Sequence, residues 1–302
     1  MSNNSNIATN NRSAEISYTW LEDLSMLFKT KLSLLVLFSA VMAYLIVAPT
    51  VSVVSIFLLC FGGFAITAAS NTLNQVLERD FDKLMKRTQD RPLATGRMTV
   101  SNAVLIAGFL SLVGTTLLAF LNVWASLLGM ISLIIYAFIY TPLKRTTPLS
   151  VWIGAIPGAL PMAIGVVAAQ GELTPLAFLL FGIQFFWQFP HFWSIAWLGH
   201  DDYSNAGYKM LPSKSGLPDE EVGFQSFIYA LFLLPVFVTM LYLGAVGAFG
   251  FVVSLLLTIG YIWYAWNMYI ENTKESAKKL MFSSFAYLPF VLIFLFIDKI
   301  IM

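Results

Sequence analysis

Long apolar runs separated by short polar connections follow one another along this chain from residue 32 to its end. About 20 apolar residues are enough for an α-helix to cross a hydrocarbon core of roughly 30 Å. Nine such runs can be placed, at 32–50, 51–74, 99–120, 122–141, 149–169, 174–198, 223–247, 249–270 and 280–300. The pattern predicts an all-α integral membrane protein, with about nine transmembrane helices in a bundle around a central cavity that opens to the cytoplasmic side.

Composition supports this class of protein. Of the 302 residues, 58% are hydrophobic and only 11% are charged, which excludes a soluble globule with a charged surface. The single cysteine, Cys60, excludes a disulfide within the chain and a cysteine-ligated metal. The basic residues lie in short loops at the predicted membrane edge and form no stripe of the kind that binds nucleic acid.

The basic residues predict the orientation. Of the 17 lysines and arginines, 16 lie in the amino-terminal segment or in the loops after the second, fourth, sixth and eighth runs, and only Lys299 lies at the other end. Cytoplasmic loops retain such residues. We therefore expect a multi-pass protein of the cell membrane, with its amino terminus in the cytoplasm and its carboxyl terminus outside.

The amino-terminal segment divides the chain into two parts. Residues 1–24 are mostly polar and lack the apolar centre of a signal peptide, so they predict a mobile cytoplasmic tail, with an interfacial helix around 18–29. Residues 25–302 then form a single transmembrane domain.

The most informative polar stretch follows the second apolar run. There Asn74, Glu78 and Asp82 recur every four residues, so on a helix they share one face. Amide and carboxylate oxygens are ligands that hard divalent cations prefer. The spacing predicts a cation site where this helix reaches the membrane surface.

Basic residues lie in a second connection on the same side. Lys144 and Arg145 stand in a short turn between Pro142 and Pro148. An ammonium and a guanidinium held close together suit phosphate oxygens. The same pair is equally typical of a loop that anchors the chain at the cytoplasmic surface without binding a ligand.

The sixth apolar run contains polar groups in its interior. Gln184, Gln188 and His191 recur at helical spacing around Pro190. Polar groups that face lipid are costly unless they are paired, so this face is expected to line a cavity. The alternative is a hydrogen-bond network that packs helices together.

A second acidic cluster follows that run. Asp201 and Asp202 stand beside His200, with Lys209 a few residues later. Carboxylates at two helix ends that face each other across a bundle bridge Mg²⁺ ions that bind a diphosphate. Each acidic loop taken alone is also typical of solvated charge, and His200 is best interpreted as a solvated partner of the aspartates.

Five motifs together resemble a known family. They are Asn-xxx-Glu-Arg-Asp-Phe-Asp from Asn74, Arg-Thr-x-x-Arg-Pro-Leu from Arg87, Tyr-Thr-x-x-Lys-Arg from Tyr140, Ile-Gly-Ala-Ile-Pro-Gly-Ala-Leu-Pro from Ile153 and Trp-Gln-Phe-Pro-His-Phe from Trp187. The chain resembles the protohaem IX farnesyltransferases, which are UbiA-type intramembrane prenyltransferases, over residues 25–300. The acidic motif is shared across that superfamily, whereas the Trp-Gln-x-Pro-His-Phe segment is typical of the haem-specific members.

The resemblance implies that farnesyl diphosphate is ionised and its chain is added to a vinyl group of haem b, giving haem O and diphosphate. It implies Mg²⁺ as cofactor, the lipid bilayer as surroundings, and a haem A synthase or terminal oxidase assembly as downstream partner. The residues to which it assigns roles fall into three groups: metal ligands Asn74, Glu78, Asp82 and Asp202, with Asp201 the alternative; diphosphate ligands Arg91, Lys144, Arg145 and Lys209; and acceptor contacts Gln188 and His191.

Other functions are also compatible with the residues. A prenyltransferase for an aromatic quinone precursor would use the same diphosphate site. A secondary transporter would explain polar residues within the membrane, although the acids cluster at one surface and not at the midplane. A haem carrier using His191 and His200 would not need the face formed by Asn74, Glu78 and Asp82.

Overall fold

The computed structural model describes residues 18–211, 213–214 and 217–302, and nearly all of these are helical. The helices before residue 145 are α1 (Trp20–Phe28), α2 (Thr30–Val47), α3 (Val53–Asp82), α4 (Pro92–Thr95), α5 (Val100–Ala119), α6 (Val123–Ile134), a π-helix (Ile135–Tyr140) and α7 (Thr141–Leu143). Those after it are α8 (Ser150–Gln170), α9 (Pro175–Leu198), α10 (His200–Asn205), α11 (Glu221–Leu231), α12 (Leu233–Tyr242), α13 (Ala248–Glu271) and α14 (Lys274–Ile301). Strands β1 (Ser213–Lys214) and β2 (Leu217–Pro218) form a small antiparallel hairpin between α10 and α11.

The prediction of an all-α membrane protein is confirmed. Within the described residues, eight helical segments are long and apolar enough to cross a membrane. A further long helix, α9, coincides with the predicted run 174–198, but its interior contains two glutamines, a histidine and a proline, and it is not among the eight. The count of nine spans therefore stays a prediction.

Helix α3 is longer than the apolar run from which it was predicted. The run ends at residue 74, whereas the helix continues to Asp82 and is 30 residues long. Ser52 caps its amino terminus by accepting a hydrogen bond from the backbone amide of Ser55. Because the helix is continuous to its end, the polar residues of its last two turns keep the helical spacing on which the predicted cation site depends.

Helix α1 includes part of the predicted tail. Thr19 and Glu22 form a capping box at its start, Leu27 is buried, and Asp23 accepts hydrogen bonds from Arg97. Residues 20–24 therefore lie in a docked helix and not in a mobile tail, because local capping and an ion pair stabilise them. The remainder of the predicted tail, 1–17, lies outside the described residues. The interfacial helix expected around 18–29 is present.

Close contacts join α2 to α8. A Cβ atom on Gly165 of α8 would lie 2.9 Å from the Cβ of Ala43 and closer still to the carbonyl oxygen of Ala40. Small residues of this kind allow two backbones to approach in a membrane, where van der Waals packing stabilises helix pairs. Other residues of the same two helices, among them Ser39 and Pro161, line the larger cavity described below.

The end of α14 fastens two other helices at the face opposite the polar loops. The buried Asp298 carboxylate accepts hydrogen bonds from the amides of Gly247 (2.6 Å) and Gly250 (2.8 Å) at the start of α13. Lys299 donates to the carbonyl oxygens of Leu45 (2.8 Å) and Ala48 at the end of α2. Both charges complement helix ends of the opposite partial charge. Lys299, the one base that the sequence places away from the predicted cytoplasmic loops, therefore has a structural explanation.

Candidate active site

The final two turns of α3 form the floor of a polar pocket. Asn74, Glu78 and Asp82 lie in line on one face and all are buried, with Asp82 fully inaccessible. The side chains also interact, because the Asn74 amide donates to Glu78 Oε2 at 2.8 Å and to Thr141 Oγ1 at 3.0 Å. The predicted face is thus present, and it points into the protein and not into water.

Each of these three residues contacts a different base. Lys29 Nζ donates to Asn74 Oδ1 at 2.8 Å. Lys144 pairs with Glu78, and Arg91 donates to both oxygens of Asp82 at 2.8 and 2.9 Å. Internal cations thus compensate the oxygens that would ligate a metal, which makes burial of two carboxylates tolerable.

Side chains of α3 hold Lys29 in place. Lys29 ends α1 and precedes α2 with a left-handed backbone, at φ 48°. Gln75 donates to the carbonyl oxygens of Met26 and Leu27, and Asn71 donates to that of Phe28. These bonds satisfy carbonyls at the end of α1, which have no partner within that helix. They fix the sharp turn that directs the lysine toward Asn74.

The pocket is covered by residues of the loop after α3 and of the segment around α10. Arg87 donates to the Tyr203 hydroxyl at 3.1 Å across this cover. The volume enclosed is about 160 Å³. Its lining consists of Lys29, Leu32, Asn74, Glu78, Asp82, Met85, Arg87, Thr88, Arg91, Tyr136, Tyr140, Lys144, Tyr203, Tyr208 and Met210.

Positive charge exceeds negative charge in this pocket, which four bases and two carboxylates line. Burial and the neighbouring Arg91 hold the pKa of Lys29 well below its usual value. Burial also lowers the pKa of Lys144 despite the adjacent Glu78, and burial together with Glu78 raises the pKa of the Tyr208 hydroxyl. Desolvated cations in excess favour the entry of an anion with several charges.

A larger apolar cavity of about 440 Å³ adjoins the polar pocket. Leu32, Tyr136 and Tyr140 line both spaces and so form the boundary between them. The two tyrosines belong to the π-helix, and their rings lie 5.5 Å apart. The other lining residues include Leu35, Val36, Phe38, Asn71, Pro157, Gly158, Pro161, Gln184, Trp187, Gln188, His191, Phe192, Phe285 and Leu288.

The predicted polar face of α9 lines this cavity. Gln184 donates to the Gly158 carbonyl oxygen at 2.7 Å, and Gln188 donates to that of Ala155 at 3.2 Å. These bonds to α8 form a hydrogen-bond network that packs the two helices together, as the alternative interpretation of this face predicts. Gln184, Gln188 and His191 also border the cavity. Both interpretations of this face therefore hold.

The hydrogen bonds of His191 indicate its tautomer. Its Nδ1 lies 2.7 Å from Ser284 Oγ, and Ser284 Oγ donates its one proton to the Met281 carbonyl oxygen at 2.6 Å. Because a carbonyl oxygen can only accept, both contacts are made at once when His191 Nδ1–H donates to the Ser284 hydroxyl, an arrangement that leaves the lone pair of a neutral imidazole on Nε2. The ring also stacks on Trp187, with centroids 4.7 Å apart.

Four predicted ligands do not line the polar pocket. Arg145 donates to the Leu77 carbonyl oxygen at 2.7 Å, and its guanidinium lies over the ring of Phe81. The other three lie on or after α10 at the protein surface. Asp201 and Lys209 are exposed, and Asp202 is half-buried. Their predicted ligand roles stay predictions.

The structure adds residues that the sequence interpretation did not single out. Lys29 is one of the 16 bases that predict the orientation, and its place just before the first long apolar run indicates only a position at the membrane edge. Tyr136 is one aromatic residue within an apolar run, and its place four residues before Tyr140 is the only signal of a shared face. Ser284 offered no signal, because its contact with His191 joins helices 93 residues apart.

The donor set of α3 fits Mg²⁺. Amide and carboxylate oxygens are hard ligands, and Asn74, Glu78 and Asp82 present them on one face toward the polar pocket. Among the residues that the structure describes, no three His, Cys, Asp or Glu side chains form a metal cluster by themselves. A metal here would therefore bind two protein carboxylates, the amide oxygen and oxygens of a substrate, as is usual for Mg²⁺ with phosphates.

A charged pocket that adjoins an apolar cavity within a helical bundle suits an amphipathic ligand with a charged head and an apolar tail. A solved structure of digeranylgeranylglyceryl phosphate synthase superposes with a TM-score of 0.80, over 93% of this chain and 99% of that one, at 18% identity. A UbiA homologue from Archaeoglobus fulgidus bound to DMAPP and Mg²⁺ superposes with a TM-score of 0.71, over 93% of this chain and all of that one, at 17% identity. These similarities show the fold.

Sequence similarity gives the family. Residues 35–288 match the UbiA prenyltransferase family, and the chain belongs to this family. A protoheme IX farnesyltransferase from Christiangramia forsetii is 41% identical over 302 residues, which cover 98% of each chain. Another, from Cytophaga hutchinsonii, is 41% identical over 276 residues, covering 91% of this chain and 96% of that one.

Proposed function

We propose that this protein transfers the farnesyl group of farnesyl diphosphate to a vinyl group of protohaem IX, giving haem O and diphosphate. The observation that carries the proposal is the boundary formed by Leu32, Tyr136 and Tyr140, which joins a cationic pocket to an apolar cavity. A prenyl diphosphate needs both environments at once. Similarity over nearly the full length to proteins named protoheme IX farnesyltransferase supports haem as the acceptor.

In the proposed complex the diphosphate occupies the polar pocket. Lys29, Arg91 and Lys144 exchange their present partners for diphosphate oxygens, and Asn74, Glu78 and Asp82 become free to ligate Mg²⁺. Bound there, Mg²⁺ would neutralise charge that builds on the leaving diphosphate. The same three bases add hydrogen bonds to that charge as it develops.

The chemistry takes place at the boundary. The bond between C1 of the farnesyl chain and the diphosphate oxygen breaks, and its electron pair leaves with the diphosphate. The π electrons of the vinyl group form the new carbon–carbon bond to C1, and the cation left beside the porphyrin ring takes up water and loses a proton. Tyr136 and Tyr140 present aromatic rings where the allylic cation forms, and such rings attract cations.

In this proposal the acceptor enters the apolar cavity beside the farnesyl chain, on the side that His191 and Gln188 line. With its Nδ1–H donated to Ser284, His191 presents a free Nε2 lone pair, which suits a contact with the haem iron or an acidic proton of the acceptor. Its stacking on Trp187 and its bond to Ser284 fix the ring. Gln188 borders the same space. We place this site at the cytoplasmic face, where most bases lie, with haem O passing to a haem A synthase or terminal oxidase.

The test is conversion of haem b by the purified protein in detergent with farnesyl diphosphate and Mg²⁺. We expect haem O, and its loss in an Asp82→Ala variant. Asp80→Ala is the matched control, because Asp80 lies two residues earlier on α3, is 64% exposed in its side chain and pairs with the surface residues Arg79 and Lys83. It should retain activity.

Each alternative gives a different result. Release of diphosphate with prenylation of an aromatic quinone precursor, and none of haem, would keep the family and refute the acceptor. Haem binding with no Mg²⁺-dependent loss of farnesyl diphosphate would favour a carrier. Asn74, Glu78 and Asp82 together form what we call the metal face of α3. Equal loss of activity in the Asp80 and Asp82 variants would refute its assignment.

A further inference from the structure

A groove on the lipid-facing side of the bundle runs between α13 and α14, away from both spaces of the candidate active site. Its volume is about 820 Å³. Most of its lining consists of large apolar and aromatic side chains, with small residues at Gly260 and Ala286. The residues that matter here are Leu256, Gly260 and Tyr264 on α13 and Phe282, Ala286 and Phe290 on α14.

Gly260 deepens the groove, and neither packing within the protein nor its backbone conformation requires a glycine at this position. A Cβ atom at this position would meet no atom within 4 Å, so packing does not require a glycine. Its backbone is not in the left-handed region that favours glycine, and glycine inside a helix costs about 1 kcal/mol relative to alanine. By contrast, a Cβ on Gly223 would lie 2.5 Å from the backbone of Tyr269.

Charge is confined to one end of the groove. Lys278 and Lys279 lie there, on the side of the membrane where the candidate active site lies, and both are exposed. Glu275 pairs with Lys279 at 2.9 Å, and the Lys278 ammonium lies 6.0 Å from the Phe282 ring centroid. The end of the groove therefore carries a net charge of one, and everything beyond it is apolar or aromatic apart from Ser283 and tyrosine hydroxyls.

The length of the groove matches one leaflet of a bilayer. Lys278 and Phe290 are twelve residues apart on α14, which is about 18 Å at 1.5 Å per residue. Half of a hydrocarbon core is roughly 15 Å. A cationic end followed by a leaflet-length apolar channel is complementary to a lipid with a negatively charged head group.

We propose that this groove binds an anionic phospholipid, with its phosphate at Lys278 and Lys279 and an acyl chain over Gly260. The lipid would also support the central cavity. Tyr261 forms the inner wall of the groove, stacks on Tyr287 with centroids 4.7 Å apart, and donates to the Trp187 carbonyl oxygen at 3.0 Å. The acyl chain thus packs against the layer that holds the cavity wall.

The experiment measures lipid-dependent stability. The protein in detergent is melted with added phosphatidylglycerol or with the same amount of phosphatidylcholine, and lipid retained on the protein is counted by native mass spectrometry. For the wild type we expect a higher melting temperature and more retained lipid with phosphatidylglycerol. A Gly260→Leu variant, which fills the groove, should lose most of both effects.

Two further variants make the outcome decisive. Gly108→Leu on α5 is the matched control, because a Cβ there also meets nothing within 4 Å but lies outside the groove, and it should behave as the wild type. Lys278→Gln combined with Lys279→Gln changes only exposed side chains and should abolish the preference for phosphatidylglycerol over phosphatidylcholine. The proposal is overturned if Gly260→Leu responds like Gly108→Leu, or if the double variant keeps the preference.

Discussion

Replacement of Lys144 by methionine tests whether internal bases hold the metal face in its metal-free state. Lys144 and Glu78 form a buried ion pair, with side chains 12% and 5% exposed. Removing one partner of such a pair leaves an uncompensated charge and costs about 3–5 kcal/mol. We therefore expect Lys144→Met to lower the free energy of unfolding of the metal-free protein by about this amount.

The same variant should respond more strongly to metal alone. In the wild type, Mg²⁺ must displace the Lys144 ammonium from Glu78, and the ammonium then has no anion to contact unless diphosphate enters with the metal. In Lys144→Met this competition is absent, so Mg²⁺ should recover more stability than it adds to the wild type. Added diphosphate should recover less, because one of its ligands is missing.

The assay is thermal unfolding in detergent at increasing Mg²⁺, with and without diphosphate. Lys83→Met is the matched control, because Lys83 pairs with Asp80 at the surface and both side chains are more than half exposed. Such pairs contribute about 0.2–1 kcal/mol. If Lys144→Met is as stable as Lys83→Met, or gains no more from Mg²⁺ than the wild type does, internal compensation of the metal face is refuted.

Three other predictions concern single contacts. Asp298→Ala removes two charge-assisted hydrogen bonds to helix amides and should cost about 3 kcal/mol at about 1.5 kcal/mol each, measured by chemical denaturation; an unchanged midpoint would contradict the structural role. Gly158→Ala places a Cβ 3.0 Å from Gln188 Cδ and closer to its Oε1, so haem binding should weaken more than farnesyl diphosphate binding, and equal effects would argue against an acceptor cavity. Ser284→Ala removes the hydrogen bond that fixes the ring of His191, so the absorption spectrum of bound haem should shift. A spectrum identical to that of the wild type would exclude a contact between His191 and the haem.

Much of the candidate site could be predicted from the sequence, because it depends on the spacing of residues along one helix. Asn74, Glu78 and Asp82 share a face wherever that segment is helical, and the helix does continue to Asp82. The pairing of Arg91 with this face follows a loop of nine residues, so it too is nearly local. A periodic pattern carries such information because side-chain direction repeats every 3.6 residues.

The roles of basic residues in loops were less predictable, because the sequence predicts on which side of the membrane a loop lies but not where each side chain points. Lys144 and Arg145 are neighbours, yet Lys144 enters the polar pocket and Arg145 caps the carbonyl of Leu77. Consecutive residues in a turn point to different sides, and the packing of the turn against α3 decides which side chain meets the pocket. Lys209 and Asp202, on the segment after α9, likewise lie at the surface.

The sequence by itself determined that this is a helical membrane protein of the UbiA prenyltransferase family, with a cation face on one helix and a polar face on another, because hydropathy and helical periodicity are local properties of the chain. Only the tertiary structure decided which groups meet. Lys29 reaches Asn74 across 45 residues, and Ser284 fixes His191 across 93. Such contacts depend on how helices pack in three dimensions, which no local pattern encodes, and they determine where the charged pocket opens onto the apolar cavity.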